Sequence, residues 1–210
     1  MQILVFGDSI VYGLYDKSGG GWVERLRKFI DQKLADGNHY YTLYNLGIDG
    51  DNSKNLLKRM DFEIQQRQKE IDPLIIISFG GRDAIVKLAT GKPDTSRDKF
   101  EENVQKILDT AKKYTSKVLF VGIVGPRDES KLNPIPWKPE YAVENKYARD
   151  YNEIEKNICK KNGVHFIDIF GRWEKLDYKS LIEDGAHPNP KGHKKIFSLV
   201  CSYLMKNKLL

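Results

Sequence analysis

Five apolar runs alternate along this chain with stretches that carry apolar side chains at helical spacing, and this alternation constrains the fold more than any other feature. The third run, residues 74–79, is apolar without alternation, which is typical of a central parallel strand covered on both faces. Parallel strands need right-handed crossover connections, which place helices on both faces of the sheet. The pattern therefore predicts a three-layer α/β/α fold with a five-stranded parallel sheet. The predicted strands lie within residues 3–6, 40–46, 74–79, 118–124 and 164–169.

Apolar periodicity predicts the helices between these strands. They are expected at residues 22–30, 56–64, 98–114 and 141–161, with a last helix through residues 196–204. A chain of 210 residues is near the upper end of what one hydrophobic core supports. We therefore predict one domain over residues 1–210.

The composition excludes several classes of protein. Hydrophobic residues make up 40% and charged residues 30%, as in an ordinary globular protein. The net charge is +6, but the 35 basic and 29 acidic residues are interleaved, which favours solvated helix faces over a nucleic-acid groove. No apolar stretch approaches the ~20 residues of a membrane span. We therefore expect neither a nucleic-acid partner nor a membrane span.

The two cysteines and the start of the chain bear on location. Cys159 and Cys201 each lie within a helical pattern, which favours reduced core residues over a disulfide. The first apolar run has no basic leader and continues directly into a candidate site, so a cleaved signal peptide is not expected. The sequence predicts a cytoplasmic protein.

The first apolar run ends in the turn Gly7-Asp8-Ser9-Ile10. Sites in open α/β sheets form beyond the carboxyl ends of the strands, so this turn is placed to present the Ser9 hydroxyl. The alternative is that Asp8 or Ser9 merely caps the next helix. The turn alone does not decide between these interpretations.

Near the other end of the chain, Asp184 precedes His187 by three residues. A serine hydroxyl is a poor nucleophile until a base takes its proton, and a carboxylate can orient that base and stabilise its imidazolium form. The spacing lets Asp184 hold one ring nitrogen of His187 while the other points at Ser9. We predict Ser9 as nucleophile, His187 as general base and then acid, and Asp184 as the orienting carboxylate.

Four short blocks resemble the ordered motifs of the GDSL/SGNH hydrolases, and together they run from one end of the chain to the other. The blocks are Gly7-Asp8-Ser9-Ile10, Asn45-Leu46-Gly47, Gly80-Gly81-Arg82-Asp83 and Asp184-Gly185-Ala186-His187. The resemblance implies the flavodoxin-like strand order 2-1-3-4-5 and a serine esterase that needs no cofactor or metal. It also implies three oxyanion donors: the N–H of Ser9, the N–H of Gly47 and the amide of an asparagine in the third block.

The third block departs from that pattern because Arg82 stands where the family has asparagine. The guanidinium could still donate to the oxyanion, or it could bind a substrate carboxylate or phosphate. A third alternative is that Arg82 fills the pocket, or pairs with Asp8, Asp49 or Asp83, and weakens catalysis. We favour an altered oxyanion hole, since a longer side chain seldom reproduces the geometry of a short amide.

Asp8, Asp83 and Trp137 are predicted to contact the substrate. Trp137 lies in the proline-rich segment 127–140, which is either a wall of the substrate site or a plain surface crossover.

The remaining histidines, His39, His165 and His193, are interpreted as structural or solvated, and no metal site is predicted because neither they nor the two cysteines show a metal-ligand spacing.

The function predicted from these residues is a serine hydrolase that cleaves small or short-chain acyl esters. Its only predicted partner is a small ester substrate. Two alternatives stay open at this point. One is a binding or regulatory module in which Arg82 holds an anionic ligand, and the other is acyl transfer to a second hydroxyl.

Overall fold

The strands form two sheets of different size. The computed structural model describes residues 1–35, 37, 40–68 and 72–210. Its strands are β1 (Gln2–Gly7), β2 (Thr42–Gly47), β3 (Leu74–Ser78), β4 (Val86–Lys87), β5 (Lys92–Pro93), β6 (Val118–Val121), β7 (Tyr141–Ala142) and β8 (His165–Ile167). The large sheet is parallel and has the order β2-β1-β3-β6-β8. Counting only these five strands, the order is 2-1-3-4-5, and the predicted fold is confirmed.

Helices cover both faces of the large sheet. They are α1 (Ser9–Tyr12), α2 (Trp22–Ala35), α3 (Ser53–Arg67), α4 (Arg97–Lys112), α5 (Asn145–Lys161), α6 (Ile169–Trp173) and α7 (Pro190–Lys206). Strand β1 shows why the strands are apolar throughout. Leu4 and Phe6 belong to the core shared with α3, α4 and α5, whereas Ile3 and Val5 belong to the core shared with α2 and α7. Successive side chains point to opposite faces, so both faces must be apolar.

The strand register brings the carboxyl ends of three strands together. Gly7 at the end of β1 lies opposite Gly47 of β2 on one side and Ser78 of β3 on the other. The chain passes from β1 to β2 on one side of β1 and then to β3 on its other side, so the strand order reverses here. This edge is therefore the topological switch point at which open α/β sheets bind ligands.

The second sheet was not predicted. Its three two-residue strands pair antiparallel in the order β5-β4-β7. The helix predicted over residues 141–161 begins only at Asn145, because Tyr141 and Ala142 pair with β4 instead. Strands of two residues are too short to show periodicity in the sequence.

Next to this small sheet lies a third, separate apolar cluster. Its buried members are Ile85, Leu132, Ile135, Val143 and Ala186. The cluster joins the segment after β3, the proline-rich segment and the segment that carries His187, and it forms one wall of the cleft described below.

None of the helices in the described part of the chain is both long enough and apolar enough to cross a membrane.

Candidate active site

The turn after β1 both caps a helix and presents a hydroxyl. The Asp8 side chain accepts a hydrogen bond of 3.0 Å from the Ile10 N–H, and Ser9 is the first residue of α1. A side chain at Gly7 would overlap the Ser78 carbonyl and the Val11 side chain, so only glycine allows α1 to start this close to the sheet. The two interpretations of this turn are therefore compatible, since Asp8 supplies the cap and Ser9 is free for chemistry.

Asp184 and His187 face each other across a tight turn. One Asp184 oxygen accepts backbone hydrogen bonds from Ala186 (2.9 Å) and His187 (2.8 Å). The other lies 2.7 Å from His187 Nδ1. Gly185, between them, has a φ of 98°, a conformation that favours glycine. These contacts place the proton of neutral His187 on Nδ1, which leaves Nε2 as an acceptor.

His187 Nε2 lies 3.0 Å from Ser9 Oγ. The structure thus brings the three residues of the predicted triad into one hydrogen-bonded chain. Burial on its own would raise the pKa of Asp184, but hydrogen bonds from the side chain and backbone of His187 outweigh it and hold that pKa at about 2. Asp184 is therefore ionised at neutral pH and can stabilise an imidazolium ion.

Ser9 and His187 open into a cleft of about 240 Å³. This volume is below the range of about 300–1,000 Å³ typical of sites for drug-sized ligands. One wall is the apolar cluster of Ile85, Leu132, Ile135, Val143 and Ala186. The other lining residues are mostly polar or charged: Asp8, Asp49, Gly50, Asp51, Arg82, Arg127 and Lys138, with Ile10 and Trp137. The proline-rich segment thus forms part of the wall of this cleft and is not a plain crossover.

Two aromatic side chains lie beside His187 at the cleft. The ring centroid of Tyr15 is 5.6 Å from that of His187, and the centroid of Trp137 is 6.1 Å away. Trp137 is 56% exposed. The structure therefore places Trp137, one of the predicted substrate contacts, at the mouth of the cleft next to the candidate base.

The structure corrects the expected role of Gly47. Its N–H donates to the Asn45 side chain at 3.1 Å, and Gly47 is not among the residues that line the cleft. A Cβ at Gly47 would overlap the Tyr12 backbone, so this glycine is needed where β2 packs against α1. Gly50, three residues later, lines the cleft with a φ of 77°. Of these two glycines, Gly50 and not Gly47 is the one that lines the cleft.

Arg82 lies in the cleft lining, but a carboxylate already holds its guanidinium. Arg82 Nη1 is 3.1 Å from Asp94, and the guanidinium lies 5.3 Å from the centroid of the Tyr141 ring. The partner is Asp94 and not Asp8, Asp49 or Asp83, the three acids considered from the sequence. Asp94 comes from the loop after β5, which belongs to the sheet that the sequence did not predict.

The two predicted acidic substrate contacts lie in different places. Asp8 lines the cleft, and burial raises the pKa of its carboxyl. Asp83 has no exposed surface and accepts hydrogen bonds from the backbone and hydroxyl of Ser53 and from the hydroxyl of Thr95. Burial raises the pKa of Asp83 to about 6 despite these hydrogen bonds. Asp83 therefore joins α3 to the segment before α4 and cannot touch a substrate.

Arg127 begins the segment 127–140 that the sequence offered as a candidate wall, but the sequence assigned it no role of its own. It lines the cleft although it is only 8% exposed. Asn145 holds its backbone on both sides, accepting from the Arg127 N–H at 2.9 Å and donating to the Arg127 carbonyl at 2.8 Å. Its position directly after Gly125-Pro126, beyond the carboxyl end of a predicted strand, was a further signal.

His193 and His165 make their hydrogen bonds outside the triad. His193 is fully buried, accepts from the Trp22 N–H at 3.2 Å through Nδ1, and donates to the Leu14 carbonyl at 2.9 Å through Nε2. His165 contacts the Tyr203 hydroxyl. The prediction for His39 falls outside the described residues. Within the described residues, no group of histidine, cysteine, aspartate and glutamate side chains is arranged to hold a metal ion.

A parallel α/β sheet whose carboxyl edge carries a hydrogen-bonded Ser-His-Asp chain has the architecture and site of a serine hydrolase. Residues 5–195 match the model of the GDSL-like lipase/acylhydrolase family. The chain belongs to this family, a class of carboxylic ester hydrolases.

Individual relatives are distant in sequence. The mouse isoamyl acetate-hydrolyzing esterase 1 homolog is 22% identical over 98% of this chain and 82% of its own length. An acetylxylan esterase of Xylanibacter ruminicola is 23% identical over 96% of this chain, which spans only 42% of that enzyme. Among solved structures, a lipase/acylhydrolase from Enterococcus faecalis superposes with a TM-score of 0.74 at 20% identity, covering 98% of this chain and 96% of that one. This last likeness shows the shared fold.

Proposed function

We propose that the protein hydrolyses small or short-chain acyl esters through an acyl-enzyme on Ser9. The observation that carries the proposal is the 3.0 Å separation between Ser9 Oγ and His187 Nε2, in a chain of contacts that continues to Asp184. A hydroxyl at this distance can transfer its proton to the imidazole as it attacks a carbonyl carbon.

The reaction proceeds in two halves. Ser9 Oγ adds to the ester carbonyl, His187 takes the hydroxyl proton, and the intermediate expels the alcohol, which receives that proton from His187. Water then adds to the acyl-enzyme with His187 again as the base, and the acid leaves as Ser9 regains its proton. The ionised Asp184 stabilises the imidazolium in both halves.

Three observations support a small acyl group. The cleft has a volume of about 240 Å³, and its apolar wall is closed by buried side chains of the Ile135 cluster. The mouse relative is named for the hydrolysis of isoamyl acetate, and the Xylanibacter relative is an acetylxylan esterase. Both names describe acetate esters, the smallest common acyl substrates.

The oxyanion hole is proposed to use the backbone N–H groups of Ser9 and Gly50. Arg82 does not supply the short side-chain amide of the family pattern, since its guanidinium is paired with Asp94. If no other group replaced that amide, the rate would be lower by about a hundred- to a thousandfold.

The test is turnover of p-nitrophenyl esters from acetate to decanoate, together with labelling by a fluorophosphonate probe. Sustained turnover of acetate and labelling of the serine that Ser9→Ala removes would support the proposal. Labelling with a single stoichiometric burst would favour a binding module. Ester products formed from an added alcohol, in place of free acid, would favour acyl transfer.

A cytoplasmic location remains part of the proposal and is supported by the free thiols of Cys159 and Cys201.

A further inference from the structure

Arg127 is a buried cation in the cleft that the reaction described so far does not use. Its side chain faces the same space as Ser9 and His187, and only 8% of the residue is exposed. Its Nε–H is buried without a hydrogen-bond partner. Leaving a buried donor of a charged group unsatisfied is costly, and native structures rarely do so without a function.

The charges around Arg127 come from several segments. Asp8 and Asp184 favour its charged form, Arg82 opposes it, and burial lowers the pKa of the guanidinium without removing its charge at neutral pH. Asp8 directly precedes Ser9 in the sequence, and Asp184 contacts His187 Nδ1. The charge of Arg127 therefore interacts with acidic groups next to the candidate catalytic residues and not with charges on the protein surface.

Gly81 determines where the guanidinium can lie. A Cβ on Gly81 would overlap Arg127 Nη2, so the guanidinium packs directly over the backbone of Gly81. The next residue, Arg82, occupies the position at which the family pattern has its asparagine donor, but Arg82 is paired with Asp94. The Arg127 guanidinium thus lies next to the position at which the family pattern has its asparagine.

We infer that Arg127 supplies the side-chain hydrogen bond to the oxyanion that the asparagine supplies in the family pattern. The inference rests on the proposed ester hydrolysis. As Ser9 Oγ bonds to the carbonyl carbon, the π electron pair of the C=O bond moves onto oxygen, and an Arg127 N–H donates to that negative oxygen. When the alcohol leaves, the pair returns to re-form the carbonyl. Arg127 keeps its protons throughout.

A permanent carboxylate on the substrate is a less suitable partner for Arg127. Asp8 and Asp49 also line the cleft and would repel such a group, whereas the third lining acid, Asp51, is paired with Arg59. Charge on the oxyanion develops only during the reaction, at one atom, and a donor held in place beforehand stabilises it without reorganisation.

The experiment compares kcat and KM for p-nitrophenyl acetate in the wild type, Arg127→Ala, Arg127→Lys and Gly81→Ala. We expect Arg127→Ala to lower kcat by about a hundred- to a thousandfold, as for other oxyanion donors, with a much smaller change in KM. Guanidinium ions should restore part of that rate, and Arg127→Lys should retain part of it. Arg149→Ala, which removes an exposed arginine paired with Glu174, is the matched control and should not respond to guanidinium.

Gly81→Ala keeps the positive charge but displaces it. Because the overlapping atom is the far end of a flexible side chain, the variant should fold while the guanidinium moves, and kcat should fall by about tenfold or more. It also serves as the test if Arg127→Ala does not fold. The double variant Gly81→Ala/Arg127→Ala should be no slower than Arg127→Ala, since both changes remove the same hydrogen bond.

The inference is overturned if kcat is unaffected by Arg127→Ala or Gly81→Ala, or if their effects add. It is also overturned if these variants lose activity only towards esters that carry a free carboxylate, because Arg127 would then bind that carboxylate. Fluorophosphonate labelling and turnover by the wild type separate the two proposals. If Ser9 of the wild type is labelled and the wild type turns over ester, an unchanged kcat in the Arg127 variants contradicts only the inference about Arg127. If the wild type shows neither labelling nor turnover, both proposals fail.

Discussion

Ser9 Oγ and His187 Nε2 lie 3.0 Å apart although 178 positions separate them in the chain. The contact exists because the carboxyl end of β1 and the turn before α7 meet at the switch point of the sheet. Each of the two side chains is oriented by contacts within its own segment. The orientation of His187 is set by Asp184, and that of Ser9 by the Asp8 cap and by the start of α1. The position of the hydroxyl relative to the base is thus a property of the whole fold.

Replacing Ser9 with alanine removes the nucleophile. We expect kcat for p-nitrophenyl acetate to fall by about 10⁴-fold or more, with unchanged thermal stability, because the hydroxyl contributes one partly exposed hydrogen bond. Steady-state kinetics and fluorophosphonate labelling measure the effect. Ser130→Ala is a matched control, since Ser130 is a surface serine bonded to Asp128. Residual activity near the wild-type level would assign the reaction to another nucleophile.

Asp184→Asn tests the orienting carboxylate. An amide can accept from His187 Nδ1–H only in one orientation and can also stabilise the wrong tautomer, and the same change in a serine protease lowers kcat about 10⁴-fold. We expect a loss of similar order, with KM almost unchanged. Circular dichroism and thermal unfolding check that the variant keeps its overall fold. A loss confined to KM would mean that Asp184 binds substrate and does not act on His187.

Ile135→Ala enlarges the apolar wall of the cleft. Ile135 is buried in the small cluster next to the second sheet. The variant should be less stable by about 2–5 kcal/mol, and its preference should shift from acetate towards butyrate or hexanoate esters. The measurement is kcat/KM across the acyl series. Ile158→Ala, a similarly buried residue of α5, should lose stability without that shift. An identical chain-length profile in both variants would place the acyl group elsewhere.

Trp137→Ala tests the mouth of the cleft. The alcohol leaves towards His187, which protonates it, so the neighbouring Trp137 ring is placed to contact the alcohol part of the ester. We expect KM for aryl acetates to rise by about threefold to tenfold while ethyl acetate changes little. Phe62→Ala, which removes a similarly exposed aromatic on α3, is the control. An equal effect on both esters would argue against an alcohol contact.

His193→Gln tests a buried histidine outside the reaction. Burial lowers the pKa of His193 below its ordinary 6.5, so the unfolded chain takes up a proton before the folded one does. Its contribution to stability is complete above about pH 6.5 and is lost as the pH falls below it towards the lowered pKa. Glutamine can still accept from Trp22 and donate to Leu14 but does not titrate. Urea unfolding at graded pH should therefore show the wild type losing stability relative to the variant below pH 6.5. A constant difference would show that His193 is not buried in neutral form.

Much of the architecture followed from local patterns. Uninterrupted apolar runs such as residues 74–79 indicated strands covered on both faces, and helical periodicity placed α2, α3 and α4 within a few residues of their observed bounds. The spacing of Asp184 and His187 was also sufficient to predict their contact, because a three-residue separation in a turn brings two side chains together without help from the rest of the fold.

The sequence by itself determined the α/β/α class and the family, and it singled out the three residues that the structure joins in one hydrogen-bonded chain, since each depends on periodicity or on short motifs in order. Only the tertiary structure decided that Gly50 and not Gly47 faces the cleft, that Arg82 pairs with Asp94, and that Arg127 lies over Gly81. These relationships join segments whose separation depends on a small antiparallel sheet and a proline-rich segment with no periodic signal. A side chain as long as arginine can reach several partners, and packing between distant segments selects one of them.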